Sequence, residues 1–282
     1  MILVFGKTGQ VARELQRLGD VVALDRNEVD LSNPQACADA VRHYSLDAVI
    51  NAAGYTAVDR AEEEETLATV VNGDAPTAMA KACAELDIPL VHISTDYVFA
   101  GTGEIPWGPD DRTDPQNAYG RSKLTGEIGV RESGAVYANL RTSWVVSAHG
   151  ENFVKTMLRL SDTESELNVV ADQIGGPTPA RDIAAACLQI AEQLAKDHAK
   201  SGTYHFSGTP NVSWADFATQ IFDLAGKPTK VKAVPTKYYP SPATRPLNSR
   251  MNCRLTEQVF GISSPKWREG LKMILRDLEV LL

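Results

Sequence analysis

Tyr119 and Lys123 have the residue types and the spacing for acid–base chemistry. They stand four residues apart in "AYGRSK", and on a helix that spacing places both side chains on one face. A free tyrosine titrates at about 10, and a nearby ammonium group favours the phenolate and lowers that pKa. The same spacing also fits an exposed Tyr–Lys pair on a surface helix, so the interpretation depends on other residues.

Thr95 and Asp96 provide that support. They lie in the polar segment "STDYVF" and follow the apolar run "IPLVHI", which predicts a buried strand. A hydroxyl at the end of this strand can hydrogen-bond the substrate oxygen that Tyr119 protonates, and Asp96 can hold a sugar hydroxyl or tune the proton donor. A capping loop would explain the polarity but not the pairing with Tyr119 and Lys123. The predicted catalytic residues are Tyr119, Lys123, Thr95 and Asp96.

A glycine-rich turn near the start of the chain predicts a dinucleotide site. The sequence "VFGKTGQVA" places Gly6 and Gly9 after the first strand and before a helix. Gly6 permits a tight turn, Gly9 lets the backbone approach a pyrophosphate, and the small Ala12 allows close helix–strand packing. A lone glycine motif is weak evidence, but its position after the first strand strengthens it.

The sequence leaves NADH and NADPH open as cofactors. The second strand ends at Asp25, which suits the ribose hydroxyls of NADH, and Arg26 suits the 2′-phosphate of NADPH. We therefore expect tolerance of either cofactor. Small residues after the next strand let a cofactor lie against the backbone, although they also serve packing alone. The predicted cofactor-binding residues are Gly6, Gly9, Gln10, Val11, Asp25, Arg26, Asp30, Leu31, Ala52, Ala53 and Gly54, together with Tyr119 and Lys123.

The elements that position these residues form an alternating pattern. Apolar strands separated by helices indicate a parallel sheet covered on both faces, so the predicted fold class is α/β, a Rossmann-type doubly wound parallel sheet. The predicted strands are Met1–Phe5, Val21–Leu24, Ala48–Asn51, Leu90–Ser94 and Val136–Arg141. The predicted helices are Val11–Leu18, Pro34–His43, Val70–Leu86 and Ala118–Glu132, with Ser32 or Asn33 as a cap before Pro34.

The second half contains a proline-rich stretch and more irregular spacing, which predicts a smaller C-terminal lobe that binds substrate. We expect a dinucleotide-binding Rossmann domain at 1–145 and a mainly substrate-binding lobe at 146–282, with short returns of the chain to the first domain. The predicted elements here are helices at Phe153–Leu160, Ile183–Lys196, Trp214–Leu224 and Trp267–Leu281 and a strand at Gly202–Phe206.

Composition disfavours several classes of function. The 282 residues carry a formal net charge of −8, whereas nucleic-acid binding needs a basic surface. The cysteines and histidines are scattered, so we expect buried free thiols rather than disulfides or a zinc site. The sequence contains no apolar stretch approaching the about 20 residues of a membrane helix, and it begins with a strand rather than a signal peptide. We therefore expect a cytoplasmic protein without a membrane partner.

Eight segments together resemble the dTDP-4-dehydrorhamnose reductases, a family of the extended short-chain dehydrogenase/reductases. The resemblance implies reduction of the C4 keto group of dTDP-4-dehydro-L-rhamnose with NADPH or NADH, the last step of dTDP-L-rhamnose synthesis. It implies that Tyr119 donates the proton, Lys123 assists it and Thr95 is the hydroxyl partner. The segments are "FGKTGQV", "NAAGYTAVDRAE", "STDYVFAGTGEIPW", "YGRSKLTGE", "RTSWVVS", "NFVKTMLRL", "DQIGGPTPA" and "RPLNSRMN".

The same resemblance implies a set of substrate contacts. Trp144 corresponds to an aromatic that packs against the deoxysugar, although a core tryptophan also fits. Arg245 offers a planar fork of donors for a pyrophosphate, with a structural ion pair as its alternative. The predicted substrate-binding residues are Thr95, Asp96, Trp144, Gln173, Thr178, Arg245 and Asn248.

Some members of that family carry Mg2+ at a dimer interface through glutamates, and Glu14 matches one such ligand. Arg181 stands where those members have a glutamate. A guanidinium group cannot ligate a cation, so no metal is predicted and Mg2+ is only a possible ligand. The expected partner is a small nucleotide-sugar substrate, and the chain is expected to be a monomer or a homodimer.

Two alternatives to a reductase remain open from the sequence. One is a sugar-nucleotide epimerase or dehydratase on the same fold. Dehydratases of this group use a Thr-Asp-Glu run, and the run Thr95-Asp96-Tyr97 argues against elimination. The other is a cofactor-binding regulatory subunit without catalysis, which the intact set of predicted catalytic residues disfavours.

Overall fold

The central sheet has six parallel strands, in the order β10-β5-β4-β3-β1-β2 in the numbering that follows. The computed structural model describes residues 1–281. Along the chain the strands are β1 (Ile2–Phe5), β2 (Val21–Leu24), β3 (Ala48–Asn51), β4 (Leu90–Thr95), β5 (Tyr137–Thr142), β6 (Val145–Val146), β7 (Glu166–Val170), β8 (Ile174–Gly175), β9 (Thr178–Pro179), β10 (Gly202–His205), β11 (Val212–Ser213), β12 (Lys230–Val234) and β13 (Asn248–Ser249).

Helices cover both faces of this sheet. Alternate residues of each strand point to opposite faces, so Val4 packs with α1, α7 and α9, while Leu3 packs with α2, α4 and α5. The predicted α/β doubly wound parallel sheet is therefore confirmed. The helices are α1 (Gln10–Leu18), α2 (Pro34–His43), α3 (Glu65–Thr69), α4 (Ala75–Leu86), α5 (Ala118–Glu132), α6 (Phe153–Ser161), α7 (Ala180–Lys196), α8 (Trp214–Ala225), α9 (Arg254–Phe260) and α10 (Trp267–Asp277).

The strand order reverses between β1 and β3, and this switch point fixes where a ligand can enter the sheet. From β1 the chain moves outward to β2 and then crosses back to β3 on the other side. In open parallel sheets the crevice at such a point, beyond the carboxyl ends of the strands, is the usual ligand site. The glycine turn after β1 and the small residues after β3 flank this crevice.

The second half of the chain builds a separate apolar core and also returns to the sheet. Helices α6, α8 and α10 pack against β7 and β12 around the buried Trp267. In contrast, β10 extends the central sheet beside β5, and α7 covers the face that α1 also covers. The chain beyond residue 145 thus contributes the edge strand β10 and the covering helices α7 and α9 to the sheet.

Most predicted elements begin and end within one residue of the observed bounds, and three predicted helices differ from the observed ones by more. The predicted helix Val70–Leu86 is a π-helix at Val70–Asp74 followed by α4. The predicted helix Trp267–Leu281 stops at Asp277, and Glu279 beyond it adopts a left-handed conformation that cannot continue a helix. None of the helices within residues 1–281 is both long enough and apolar enough to cross a bilayer.

Candidate active site

The predicted catalytic residues come together at the carboxyl edge of the sheet. Thr95 is the last residue of β4 and pairs in register with Thr142 at the end of β5. Tyr119 lies in the first turn of α5, whose start is held by Asn117, since the Asn117 side chain accepts a hydrogen bond from the Gly120 amide at 2.7 Å. A second acceptor, Glu62 Oε1, binds the Ala118 amide at 2.8 Å. The N-terminus of α5 is therefore fixed against the strand ends.

Tyr119 keeps its proton at neutral pH in this environment. Burial of the phenol raises its pKa, interaction with Thr95 opposes part of that rise, and Asp96 and Tyr97 add to it. The Tyr97 ring meets the Tyr119 ring edge-on, with centroids 5.5 Å apart. The expectation that Lys123 gives Tyr119 a lowered pKa is wrong for this structure, because desolvation outweighs the other effects. A protonated phenol is the form that can donate to a carbonyl oxygen.

Lys123 is buried between α5 and β4, with 5% of its surface exposed. Its Nζ donates to the backbone oxygen of Ile93 at 2.7 Å and lies 3.3 Å from Nε2 of His92. Burial lowers the pKa of Lys123 to about 8, and the nearby Glu127 opposes the shift. Sequence reasoning missed His92, although a histidine inside the apolar run "IPLVHI" was a visible signal.

Asp96 is a buried carboxylate directly beside Thr95. The Thr95 hydroxyl donates to its Oδ1 at 3.1 Å, and Ser249 from β13 lies on its other side. Burial raises the pKa of Asp96 to about 6, while the interactions with Ser249 and Thr95 lower it in part. Among the described residues, Asp96 Oδ2 and Ser249 Oγ are buried without a hydrogen-bond partner. Ser249 was not predicted, because nothing in "RPLNSR" distinguishes its hydroxyl from a loop residue.

The two glycines of the turn after β1 have different roles. Gly6 adopts φ +104, which favours glycine, and a Cβ there would lie 3.4 Å from Ala52 and Ala53. Gly9 has ordinary extended geometry as the N-cap of α1, and a Cβ there would meet no described atom within 4 Å. Gly6 therefore serves the turn and its packing on the residues after β3, whereas Gly9 faces open space at a helix N-terminus.

The side chains that follow Gly9 point away from that open space. Val11 belongs to the core, so only its backbone can face a cofactor. The side-chain oxygen of Gln10 accepts hydrogen bonds from Ser147 at 2.8 Å and Asn152 at 3.0 Å. Gln10 thus joins the start of α1 to the segment that follows β6. The helix N-terminus itself is a favourable place for a phosphate group.

The predicted adenosine side of the site lies after β2. One oxygen of Asp25 accepts hydrogen bonds from the Asn27 and Glu28 amides at 2.8 and 3.1 Å, which shapes the turn. Arg26 is exposed and pairs with Asp30 at 3.4 Å, a contact of little strength in water. Leu31 packs under the sheet and Gly54 is exposed near the Asn72 side chain. Their contacts with a cofactor remain predictions.

Trp144 adopts an unusual backbone conformation just after β5. Its φ is +49, which is strained for a bulky residue, and its ring stacks on Trp214 with centroids 3.6 Å apart. A Cβ at Gly175 would lie 2.8 Å from the Trp144 ring, so the ring is held on a second side. Strained residues of this kind concentrate at ligand sites. The partly exposed Trp144 is thus fixed near the strand ends, and its sugar contact stays a prediction.

Three predicted substrate residues make hydrogen bonds within the protein. Gln173 is buried and donates to the hydroxyl of Thr236 at 3.1 Å. Thr178 is fully buried, donates to Gly176 O and accepts from the Gly208 amide. The structure therefore favours a packing role for Thr178.

Asn248 also has its amide engaged. The side-chain nitrogen donates to the backbone oxygens of Thr102 and Ile105 at 3.2 and 2.9 Å, and the side-chain oxygen accepts from Arg250. Asn248 thereby holds the loop that follows β4 against β13. These hydrogen bonds give Asn248 a structural role, and its substrate contact stays a prediction.

Arg245 forms the structural ion pair that was one of its two predicted alternatives, and its contact with a pyrophosphate stays a prediction. Its Nη2 donates to Asp59 at 2.6 Å, which is an ion pair. Its Nη1 is buried and, within the part of the chain that the structure describes, has no hydrogen-bond partner. Tyr97 lies beside this guanidinium group, since Arg245 lowers part of the raised pKa of Tyr97. An unpaired donor beside the catalytic segment is the arrangement that an anionic ligand would complete.

The predicted relation between Glu14 and Arg181 has a structural counterpart. Glu14 is buried, and its Oε1 lies 3.0 Å from His149 and 3.2 Å from Arg17. Glu14 and Arg181 line one cavity of about 290 Å³. No group of three or more His, Cys, Asp or Glu side chains in residues 1–281 is arranged to hold a metal ion.

Comparison with known proteins agrees with this geometry. The model of the family described as RmlD substrate binding domain matches residues 1–280. dTDP-4-dehydrorhamnose reductases from Sinorhizobium fredii and Escherichia coli K12 are each 42% identical, over 97% and 98% of this chain and 96% and 97% of theirs. The solved structure of a Bacillus anthracis dTDP-4-dehydrorhamnose reductase in complex with NADP has a TM-score of 0.90 at 34% identity and covers 98% of both chains. The chain belongs to the dTDP-4-dehydrorhamnose reductase family.

Proposed function

We propose that the protein reduces the C4 keto group of dTDP-4-dehydro-L-rhamnose with NADPH or NADH and so completes the synthesis of dTDP-L-rhamnose. The observation that carries the proposal is the grouping of Thr95, Tyr119 and Lys123 at the carboxyl edge of the sheet, beside the glycine turn. Near-full-length relatives named for this activity support the choice of substrate.

The residues at the switch point fit a dinucleotide. Gly9 leaves open space at the N-terminus of α1, where backbone N–H groups and the helix dipole favour a pyrophosphate. Arg26 is exposed and can reach a 2′-phosphate, while Asp25 keeps one carboxylate oxygen for ribose hydroxyls. The bound nicotinamide supplies the hydride. Acceptance of both NADPH and NADH is the expectation from this pair of side chains.

The chain's own residues handle the proton and the developing charge. The hydroxyls of Thr95 and Tyr119 hold the keto oxygen, and Tyr119 donates its proton as that oxygen becomes an alkoxide. Its raised pKa keeps the proton available over the neutral pH range. Lys123 lies one helical turn away and supports the site from inside the protein.

Two further groups suit the rest of the substrate. Asp96 Oδ2 is buried next to the catalytic hydroxyls and can accept a hydrogen bond from a sugar hydroxyl. Arg245 Nη1 can donate to the diphosphate, and Arg245 Nη2 remains fixed by Asp59. Pairing these atoms with substrate removes the cost of leaving them unsatisfied, about 1–3 kcal/mol each.

The direct test mixes the purified protein with dTDP-4-dehydro-L-rhamnose and follows nicotinamide absorbance with NADPH and with NADH. Oxidation of either cofactor together with formation of dTDP-L-rhamnose supports the proposal. A tightly held cofactor that does not exchange, with epimerised product, would instead indicate an epimerase. Absence of turnover with every nucleotide sugar, together with a stable catalytic partner in a pull-down, would indicate a regulatory subunit.

Tyr119→Phe tests the proton donor. We expect turnover to fall by about 10²- to 10⁴-fold, because the general acid is lost while the ring and its packing remain. The affinity for NADPH, measured by fluorescence titration, should stay nearly unchanged. Tyr204→Phe is the matched control, because that phenol donates to Lys200 O at the sheet edge and lies outside the site. Equal turnover in Tyr119→Phe and the control would remove Tyr119 from its role.

We infer that the protein is located in the cytoplasm and that it acts as a monomer or a homodimer. The nucleotide-sugar substrate and the nicotinamide cofactor are both cytoplasmic metabolites in this proposal. Light scattering on the purified chain distinguishes the two oligomeric states.

A further inference from the structure

Three polar side chains form a row across the middle of the central sheet. Asn51 on β3, His92 on β4 and Asn139 on β5 pair in register with one another. Each has 1% or less of its surface exposed. The row lies beneath α5, because His92 contacts Lys123 and Asn139 donates to the backbone oxygen of Glu127 at 3.1 Å. Buried polar residues in an otherwise apolar sheet interior are costly unless they are paired, so their contacts need an explanation.

The hydrogen bonds of Asn51 define the proton position on His92. The Asn51 oxygen accepts from the Ala53 amide at 3.2 Å, so its nitrogen must face the imidazole. That nitrogen lies 3.1 Å from His92 Nδ1 and can only donate, so Nδ1 must accept. A neutral imidazole with an accepting Nδ1 carries its proton on Nε2. Burial lowers the pKa of His92 well below its ordinary value, and Lys123 adds to this, so the ring is neutral.

The proton on His92 Nε2 points at the amine of Lys123, 3.3 Å away. A neutral amine can accept this hydrogen bond and still donate to Ile93 O. An ammonium group has hydrogen-bond donors only, so the charged lysine and the N–H at His92 Nε2 would be two donors with no acceptor between them. If the His92 proton were on Nδ1 instead, that N–H would face the side-chain N–H of Asn51, which is also a donor. The protonated lysine therefore loses one buried hydrogen bond in either arrangement.

We propose that His92 and Asn51 are positioning residues that act through Lys123, with Asn51 holding His92 in the tautomer whose Nε2 proton favours the neutral lysine amine. This inference rests on the proposed function only for the role of Lys123 beside the proton donor. Its consequence is that Lys123 gains and loses its proton at a pH close to neutral, well below the pH at which an exposed lysine titrates. The buried amine is thereby ready to take up or release a proton as Tyr119 does.

The other charged groups around Lys123 do not account for its preference for the neutral amine form. Glu127, on the same helix, favours the ammonium form, but Arg141 of β5 pairs with it at 2.7 Å. Glu65 of α3 pairs with Arg121 on the outer side of α5. The titratable and charged groups that face Lys123 or its helix lie on α5 and on the segments packed against it. They are Tyr119, Glu127 and Arg121 on α5, His92 on β4, Asp96 and Tyr97 after it, Arg141 on β5, Glu65 on α3 and Glu62 before it.

The first experiment measures the unsubstituted full chain by nuclear magnetic resonance, without cofactor or sugar. Ring-nitrogen shifts of labelled histidine report the His92 tautomer, and side-chain shifts of labelled lysine report the titration of Lys123. The expected result is a proton on His92 Nε2 and a Lys123 midpoint at least about one pH unit below the exposed lysines, which titrate at about 10.4. A proton on Nδ1, a charged ring, or a Lys123 that titrates with the exposed lysines would overturn the proposal. Spectra of His92→Gln and Lys123→Met assign the signals.

A pair of matched variants separates the tautomer from simple charge attraction. Asn51→Asp offers His92 Nδ1 an acceptor, so the proton should move to Nδ1 and the midpoint of Lys123 should rise by about one pH unit or more. Asn139→Asp places a carboxylate on the other side of His92 in the same row, and there the tautomer should not change. Equal rises in both variants with an unchanged tautomer would contradict the proposal.

Activity supplies a separate reading. In Asn51→Asp the alkaline limb of kcat/KM should move upward together with the Lys123 midpoint, whereas a purely structural defect would lower the whole profile without moving the limb. The resonance measurements need no turnover. If the protein reduced a different sugar, the proposed function would fail while the tautomer result would stand.

Discussion

Several buried polar atoms without hydrogen-bond partners lie near the proposed catalytic residues. In the described part of the chain they include Asp96 Oδ2, Thr142 Oγ1, Arg245 Nη1 and Ser249 Oγ. Thr142 is the register partner of Thr95, and Ser249 adjoins Asp96, so these atoms surround the catalytic segment. A folded protein rarely leaves such groups unpaired, because each costs about 1–3 kcal/mol. Asp96 interacts with Ser249, and Arg245 interacts with Tyr97, so we propose that a ligand supplies only the partners that remain missing.

The two glycines after β1 should fail in different ways when they gain a side chain. Gly9→Val fills open space, so the free protein should lose no more than about 1 kcal/mol of stability, while the rise in melting temperature that NADPH produces should disappear. Gly6→Val forces a side chain into a φ of +104 against Ala52 and Ala53, so the fold itself should be destabilised. Thermal unfolding of both variants with and without NADPH checks this. A normal NADPH shift in Gly9→Val would place the cofactor elsewhere.

Asp96 should make stability depend on pH in a defined direction. Its pKa of about 6 in the folded protein exceeds the about 3.9 of an unfolded aspartate, so the folded state binds its proton more tightly. The stability contributed by the protonated carboxyl is therefore full below about pH 4 and is lost as pH rises through about 6.

Asp96→Asn removes this loss because the amide does not ionise. Between pH 5 and pH 8 the unsubstituted protein should lose about 1 kcal/mol of unfolding free energy that Asp96→Asn does not lose. Urea denaturation at the two pH values measures it. Asp223→Asn, at an exposed position of α8, is the control. A constant difference for Asp96→Asn would refute the raised pKa.

Among the elements, α5 carries Tyr119 and Lys123, the residues proposed to be catalytic, and a buried ion pair anchors it. Glu127 lies one turn after Lys123 and pairs with Arg141 of β5 at 2.7 Å, and Ser94 of β4 donates to the same carboxylate. Both charged side chains are under 5% exposed. The helix is thereby fixed to the two strands whose ends hold Thr95 and Thr142.

Arg141→Met should be strongly destabilising because it leaves the Glu127 carboxylate buried without its charge partner. The expected cost is about 3–5 kcal/mol in unfolding free energy, measured by urea denaturation. The matched control is Arg42→Met, which breaks the exposed pair with Glu85 and should cost about 1 kcal/mol or less. Similar costs in the two variants would mean that the buried pair does not anchor α5.

Many of the helices and strands could be predicted from the sequence, because the spacing of apolar residues and the residues that cap helices are local signals. The alternation of apolar strands and helices placed α2, α5, β2 and β3 with the observed bounds. The cap at Asn33 was also right, since its side chain accepts from the Ala36 amide at 3.2 Å. The pairing of β7 with β12 and the short strands β8, β11 and β13 were not found, because their partners are distant in sequence and their runs are short.

Local motifs of the candidate site are visible in the sequence, whereas contacts between distant segments are not. Tyr119 and Lys123 are four residues apart, so their common face follows from helix geometry alone. Asn51, by contrast, gains its significance only because β3 lies beside β4 and brings it against His92. Packing roles for Thr178 and Asn248 likewise depend on backbone atoms of loops far along the chain. No single-sequence pattern records such contacts.

For the whole molecule, we propose that the division at residue 145 separates cofactor binding from substrate binding but not two folding units. Strand β10 and helix α7 belong to the central sheet and its cover, although both follow residue 145. The apolar face with Val4, Leu15 and Ile50 is buried in the core cluster to which α7 contributes Ile183 and other residues. The first domain is therefore incomplete without later parts of the chain.

A fragment of residues 1–145 tests this division. Without α7 and β10 it should show no cooperative thermal transition and should not bind NADPH, because one face of its sheet is uncovered. The full chain, treated identically, is the control and should unfold cooperatively. A fragment that melts cooperatively and binds NADPH would establish an independent domain at that boundary.

The ion pair between Asp59 and Arg245 also has a consequence for the order of events during protein synthesis. These residues are 186 positions apart, yet their charged groups meet at 2.6 Å. A ribosome adding about 5–20 residues per second needs roughly 10–40 seconds to go from one to the other. Because residue 119 is made within that interval, the growing chain contains Tyr119 before it contains Arg245. Any part of ligand binding that depends on the Asp59–Arg245 pair can therefore form only after residue 245 has been made.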